Sequence, residues 1–138
     1  MSQEPTGADI MRQFVPASPF VDHLGIELVD LGEGEAILRL PFHDEVITIG
    51  TTVHGGAVSS LIDTTAMAAA WSGATVPENM RGTTVALSIN FLSAANAVDL
   101  TATARVLRRG KSLHYVEVDV TDPGGGLVAK GLVTYKIG

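Results

Sequence analysis

The stretch TTVHGGAVSSLIDTTAMAAAW, residues 51 to 71, holds the groups of this chain best placed for chemistry. His54, Gly55 and Gly56 open a run of small apolar residues that contains a single acid, Asp63. The first backbone N–H groups of a helix have no partners inside it and carry the positive end of its dipole. Glycine lets a ligand oxygen approach such donors closely. A carboxylate on the same helix, turned away from the apolar stripe, has the makings of a general base or a nucleophile. Each feature has a plainer alternative: the glycines can serve a tight helix entry, and a lone helical Asp is ordinarily solvated or a cap. A second group lies in Arg108, Arg109, Gly110 and Lys111. Three cations around one turn suit the phosphates of a small molecule, and a solvated hairpin turn is the alternative.

Composition closes several other routes. The 138 residues include no cysteine, which excludes disulfides, thiol nucleophiles and thiolate metal sites. The four histidines, at 23, 43, 54 and 114, are scattered without ligand spacing, so neither a metal nor a bound cofactor is expected. Nine Lys and Arg against fifteen Asp and Glu give a net charge of −6, and no nucleic-acid partner is expected. No apolar run reaches the roughly 18 to 20 residues of a membrane span. The first residues lack the basic start and apolar block of a secretory signal, so the expected location is cytoplasmic, with no membrane partner.

The elements that must position these groups follow from periodicity. Residues 1–19 are polar and Pro-containing, an N-terminal arm that is either loose or a short helix; residues 20–138 read as one domain. GIELVDLGEGEAILRLPF, 25 to 42, reads as a hairpin turning at Gly32-Glu33-Gly34, followed by a loop over 43–53. Val58, Leu61, Ile62, Thr65, Ala66, Ala69 and Ala70 then recur at spacings of three and four, predicting a helix that stops before Gly73 and Pro77. Beyond it come alternating runs: 83–92, with Val85, Leu87, Ile89 and Phe91 on one face; 98–107; 112–121, with Val116, Val118 and Val120 inward; and 127–137. The fold class is α+β: a curved antiparallel sheet wrapped around one long central helix.

GTTVHGGAVSSLIDTTA, TTVALSINFLSAA and RVLRRGKSLHYVEVDVTDPGGGLVAKGLVTY together resemble the hotdog-fold acyl-CoA thioesterases of the phenylacetate-pathway type, over about residues 20–137. The resemblance implies hydrolysis of an acyl-CoA thioester, with coenzyme A entering only as part of the substrate, and assembly as a homodimer, often a homotetramer. It also implies roles. Gly55 N–H is the oxyanion donor, with Gly56 beside it, and Asp63 is the base or nucleophile. Thr84 matches a position where relatives carry a water-binding hydroxyl. Thr48 stands six residues before His54, where relatives carry an amide side chain. Arg108, Arg109 and Lys111 fall to the coenzyme A phosphates. FLSAA, residues 91 to 95, lacks an arginine that relatives show there. His54 belongs to the site but is expected to hold the loop, because no hydroxyl nucleophile accompanies it. Met67, with Trp71 and Leu61, is a candidate for the acyl pocket. A non-hydrolysing acyl-CoA-binding protein and an enoyl-thioester hydratase are the alternatives on the same scaffold.

Spacing adds one inference. Asp63 lies eight residues beyond Gly55, about 12 Å along a helix. A donor and a base that act on one carbonyl must stand within roughly 6 Å of each other. Two antiparallel helices across a two-fold axis meet that demand, with Gly55 of one chain facing Asp63 of the other.

Overall fold

A 17-residue helix, α3 (Gly55–Trp71), forms the centre of the molecule, a computed structural model that describes residues 4–138. The helix is rich in alanine, the best helix former. Val58, Leu61, Ile62, Thr65, Ala66, Ala69 and Ala70 are all buried, as their spacing predicts. Burying a Leu or Ile side chain contributes about 1.5–3 kcal/mol, and Leu61 and Ile62 have no exposed surface. The helix's buried hydroxyls bond within it: Thr65 Oγ1 donates to Leu61 O at 2.6 Å and Ser72 Oγ to Ala68 O at 2.8 Å.

The chain enters through two helices, α1 (Gly7–Ala17) and α2 (Pro19–Leu24). Thr6 and Asp9 form a capping box at the start of α1. Met11 and Val15, one turn apart, are buried, and α1 packs against α3. The hairpin follows as β1 (Glu27–Gly32) and β2 (Glu35–Leu40), turning through Gly34 at φ 67°. Residues 43–53, expected as plain loop, hold a 3-10 turn at Asp44–Val46 and two short paired strands, β3 (Ile47–Ile49) and β4 (Thr52–Val53). Four long strands complete the chain: β5 (Gly82–Phe91), β6 (Leu100–Arg109), β7 (Leu113–Thr121) and β8 (Leu127–Ile137).

The main sheet has six antiparallel strands in the order β1-β2-β6-β7-β8-β5. It wraps α3 as the hotdog fold does. The wrap is tight: a Cβ at Gly131 of β8 would stand 2.7 Å from Ile62 Cγ2. Val116, Val118 and Val120 fill the same interface.

Strand β5 departs from its expected pattern. A bulge between Thr84 and Ala86 takes Val85 out of register, and Val85 is exposed. Leu87, Ile89 and Phe91 pair with the buried Val133, Gly131 and Ala129, so they lie on the helix side. Even so, Leu87 and Phe91 are 42% and 55% exposed. The cause is position: β5 is the edge strand, bonded to β8 on one side only.

Candidate active site

His54 caps α3. Its backbone is extended (φ −62°, ψ 134°), and its ring Nδ1 accepts the N–H of Gly56 at 2.7 Å. Its carbonyl accepts from Ala57 and Val58 at 2.9 and 3.1 Å. The Gly55 N–H has no acceptor among the described residues. One donor is therefore left at the head of the helix. Gly56, expected to help Gly55, is corrected here: the histidine ring holds its N–H, so it cannot also serve a ligand.

Gly55 opens onto a cavity of 470 Å³, between α3 and the far end of β5. Thr48, Thr52, Phe91 and Leu92 share it. Thr48 thus lines the same cavity as Gly55, and it is exposed.

Asp63 opens onto a different cavity. It is half-buried, and Thr84 Oγ1 donates to its Oδ1 at 2.5 Å. Thr84 sits at the bulge of β5, which turns its hydroxyl toward the helix face that carries Asp63. This cavity, of 360 Å³, is also lined by Met67, one helical turn beyond Asp63. The structure therefore sorts the expected residues into two sets, Gly55 with Thr48 and Asp63 with Thr84 and Met67. Among the described residues, none lines both cavities.

Trp71 and Leu61 are core, 4% and 0% exposed. Among the residues of the Asp63 cavity that the sequence does not single out are the aromatic ones, Phe14, Phe20 and Tyr135. The Tyr135 hydroxyl accepts from Trp71 Nε1 at 3.1 Å, and burial pushes its pKa up. The signal for Phe14 was available in its spacing from Met11, three residues, on one face of a helix.

The basic turn divides. Arg108 and Lys111 are exposed. Arg109 turns inward: Nη1 donates to Ala70 O at 2.8 Å, and Nη2 to Ser72 O at 2.7 Å. These are carbonyls at the C-terminal end of α3, where a helix favours a cation. Arg109, expected on the coenzyme phosphates, is corrected to a helix cap, because its donors face the protein interior.

His114 stacks its role on the same cap. It is buried, and its Nδ1 lies 3.1 Å from Arg109 Nη1, which can only donate. Burial first, and then the Arg109 charge, hold its pKa below the ordinary 6.5. The consequence for stability has a definite sign. Below about pH 6.5 the unfolded chain takes up a proton that folded His114 refuses, so stability falls as pH is lowered through that point. We expect the melting temperature to drop between roughly pH 7 and 5.5, and His114→Gln, which keeps an acceptor without titrating, to show a shallower drop. Equal slopes in the two proteins would remove His114 from the account.

Among the described residues, no three His, Asp or Glu side chains stand close enough to hold a metal, and no helix is long and apolar enough to cross a membrane.

A family model described as the thioesterase superfamily matches residues 50–129. Human acyl-coenzyme A thioesterase 13 is 31% identical, over 94% of this chain and 93% of its own. The structure of the conserved protein PA5202 from Pseudomonas aeruginosa superposes with a TM-score of 0.78 at 33% identity, over 86% of this chain and 93% of that one. The structure of the Escherichia coli PaaI protein from the phenylacetic acid degradation operon reaches a TM-score of 0.84 at 24% identity, over 96% and 94%, which speaks to the fold.

Proposed function

This chain belongs to the thioesterase superfamily and is a thioester hydrolase, and on that premise we propose that it cleaves acyl-CoA in sites shared between two subunits of a homodimer. The observation that carries the proposal is the separation of Gly55 and Asp63 into two cavities of one chain. Neither cavity alone has both an oxyanion donor and a base.

Strand β5 supplies the means to join them. Its start, at Thr84, lines the Asp63 cavity, and its end, at Phe91, lines the Gly55 cavity. Its outer edge is unpaired and exposes Val85, Leu87 and Phe91. A long apolar edge of this kind is a template for pairing with another strand. An antiparallel pair of β5 strands, with the two-fold axis between Leu87 and Ser88, sets Thr84 of one chain opposite Phe91 of the other. Each Asp63 cavity then adjoins a partner's Gly55 cavity, and the dimer has two sites. The outer face of the sheet carries a second apolar patch at Leu107, Tyr115 and Leu132. It gives two such dimers a surface on which to pack back to back as a homotetramer.

In this site the thioester carbonyl oxygen accepts from the Gly55 N–H of one chain. Asp63 of the other takes a proton from water as that water attacks the carbonyl carbon, or attacks the carbon itself. Thr84 holds one carboxylate oxygen and leaves the other to act. The N–H and the helix dipole stabilise the tetrahedral oxyanion. The intermediate collapses, the C–S bond breaks, and the thiolate of CoA leaves and gains a proton; where Asp63 has attacked the carbon itself, the acyl group is left on it as an anhydride, which water then hydrolyses to the free acid and the carboxylate. Thr48 lines the Gly55 cavity, where its hydroxyl can hold water. Arg108 and Lys111 are left to meet the CoA phosphates. The reaction calls for no cofactor beyond the CoA of the substrate.

The test is release of free thiol from acetyl, medium-chain, long-chain and aryl CoA esters. Turnover of one or more classes is expected. No release, together with a melting temperature raised by the same esters, would make the protein a binder and overturn the proposal.

A further inference from the structure

The two N-terminal helices carry two exposed phenylalanines. Both helices are firmly placed. Met11, Val15, Val21 and Leu24 are buried. At Gly7, α1 lies so close to the Trp71 carbonyl that a Cβ could not fit between them. The end of α2 is tied down by a 2.7 Å hydrogen bond between His43 Nε2 and Leu24 O. On this anchored frame, Phe14 and Phe20 are 51% and 58% exposed. They come from different helices, on either side of the Ser18 junction, yet both line the Asp63 cavity. Met67 and Thr64 of α3 line the same cavity, together with the hydrogen-bonded Asp63–Thr84 pair.

A thioester held with its carbonyl at Asp63 must put its acyl group somewhere. The apolar side chains that line the Asp63 cavity include Met67, one helical turn from Asp63, and Phe14 and Phe20. We propose that α1 and α2 are the acyl-specificity element of this hydrolase, with Phe14 and Phe20 as the wall that limits the length of the acyl group. The inference rests on the acyl-CoA reading above and adds the residues that choose among acyl groups.

The test is kcat/KM for a series of straight-chain acyl-CoAs from acetyl to palmitoyl. Each methylene taken out of water is worth about fourfold in kcat/KM, so the wild-type profile climbs until the chain meets the wall and then falls. Phe14→Ala and Phe20→Ala shift the fall to longer chains, and the octanoyl-to-acetyl ratio rises about tenfold or more. Phe14→Trp narrows the pocket and shifts the profile the other way, which keeps the test valid if an alanine variant folds poorly. Profiles that coincide across wild type and all three variants overturn the inference while leaving the acyl-CoA reading intact. A change of oligomeric mass in the alanine variants with an unmoved profile also overturns it, assigning the two rings to a subunit contact. A wild type that hydrolyses none of the series overturns the reading itself, and the inference with it.

Discussion

Gly55→Pro is expected to abolish most of the turnover while leaving the fold in place. Gly55 is the first residue of α3, and the first helical position is where proline is favoured, because its missing N–H has no helical partner to lose. The residue before a proline must be extended, and His54, at φ −62° and ψ 134°, already is. A Cβ has room there: at Gly55 it would find its nearest neighbours in the Phe91 ring, at 3.6 Å, an ordinary contact. The substitution therefore removes one hydrogen-bond donor and little else. If that donor holds the oxyanion, kcat falls by about 10²–10³. Gly55→Ala restores the N–H with a similar Cβ, so the ratio of the two variants isolates the donor. A proline variant as active as the alanine one, with the same helical content, would take Gly55 out of the mechanism.

Asp63→Asn is expected to lower turnover by about two orders of magnitude or more. Asparagine keeps the shape of the side chain, and its carbonyl oxygen can still accept from the Thr84 hydroxyl, 2.5 Å away in the parent. It cannot accept a proton from water or form an acyl anhydride. Asp63 is half-buried at the edge of a cavity and pairs with no cation among the described residues, so the substitution strands no buried charge. The melting temperature should change little while thiol release collapses. Comparable turnover in both proteins would leave a hydrolase whose base is another residue.

Much of the scaffold was legible in the sequence because periodicity reports burial directly. The stripe from Val58 to Ala70 and the alternation at Val116, Val118 and Val120 both come from full burial of one face. Strand β5 alternates in the same way, yet Leu87 and Phe91 are exposed in the chain, because alternation says which face a residue is on and not how far the helix extends over it. The site residues follow the same division. Asp63 stood out as the only acid in an apolar helix. Which of Gly55 and Gly56 keeps a free N–H depends on where the His54 ring turns, and that is a tertiary fact. Arg109 and Arg108 are neighbours of one type, and a bulge in β6 between Val106 and Arg108 shifts the alternation, so that Arg109 pairs with the buried His114 and reaches the end of α3 while Arg108 is left in water. Phe14 lies in a segment whose polarity suggested an arm and Phe20 at the first position of the domain, and only the packing of α1 on α3 and of α2 on α1 brings them to the Asp63 cavity.

On the proposed mechanism each site takes its oxyanion donor from one chain and its carboxylate from the other. Co-expression of Gly55→Pro and Asp63→Asn chains at equal levels puts this to the test. Half of the dimers are then mixed, and each mixed dimer has one site with both groups intact and one with neither, so about a quarter of the wild-type rate is expected from two nearly inactive parents. If donor and carboxylate belong to the same chain, every site in the mixture lacks one group, and the rate stays at the level of the parents.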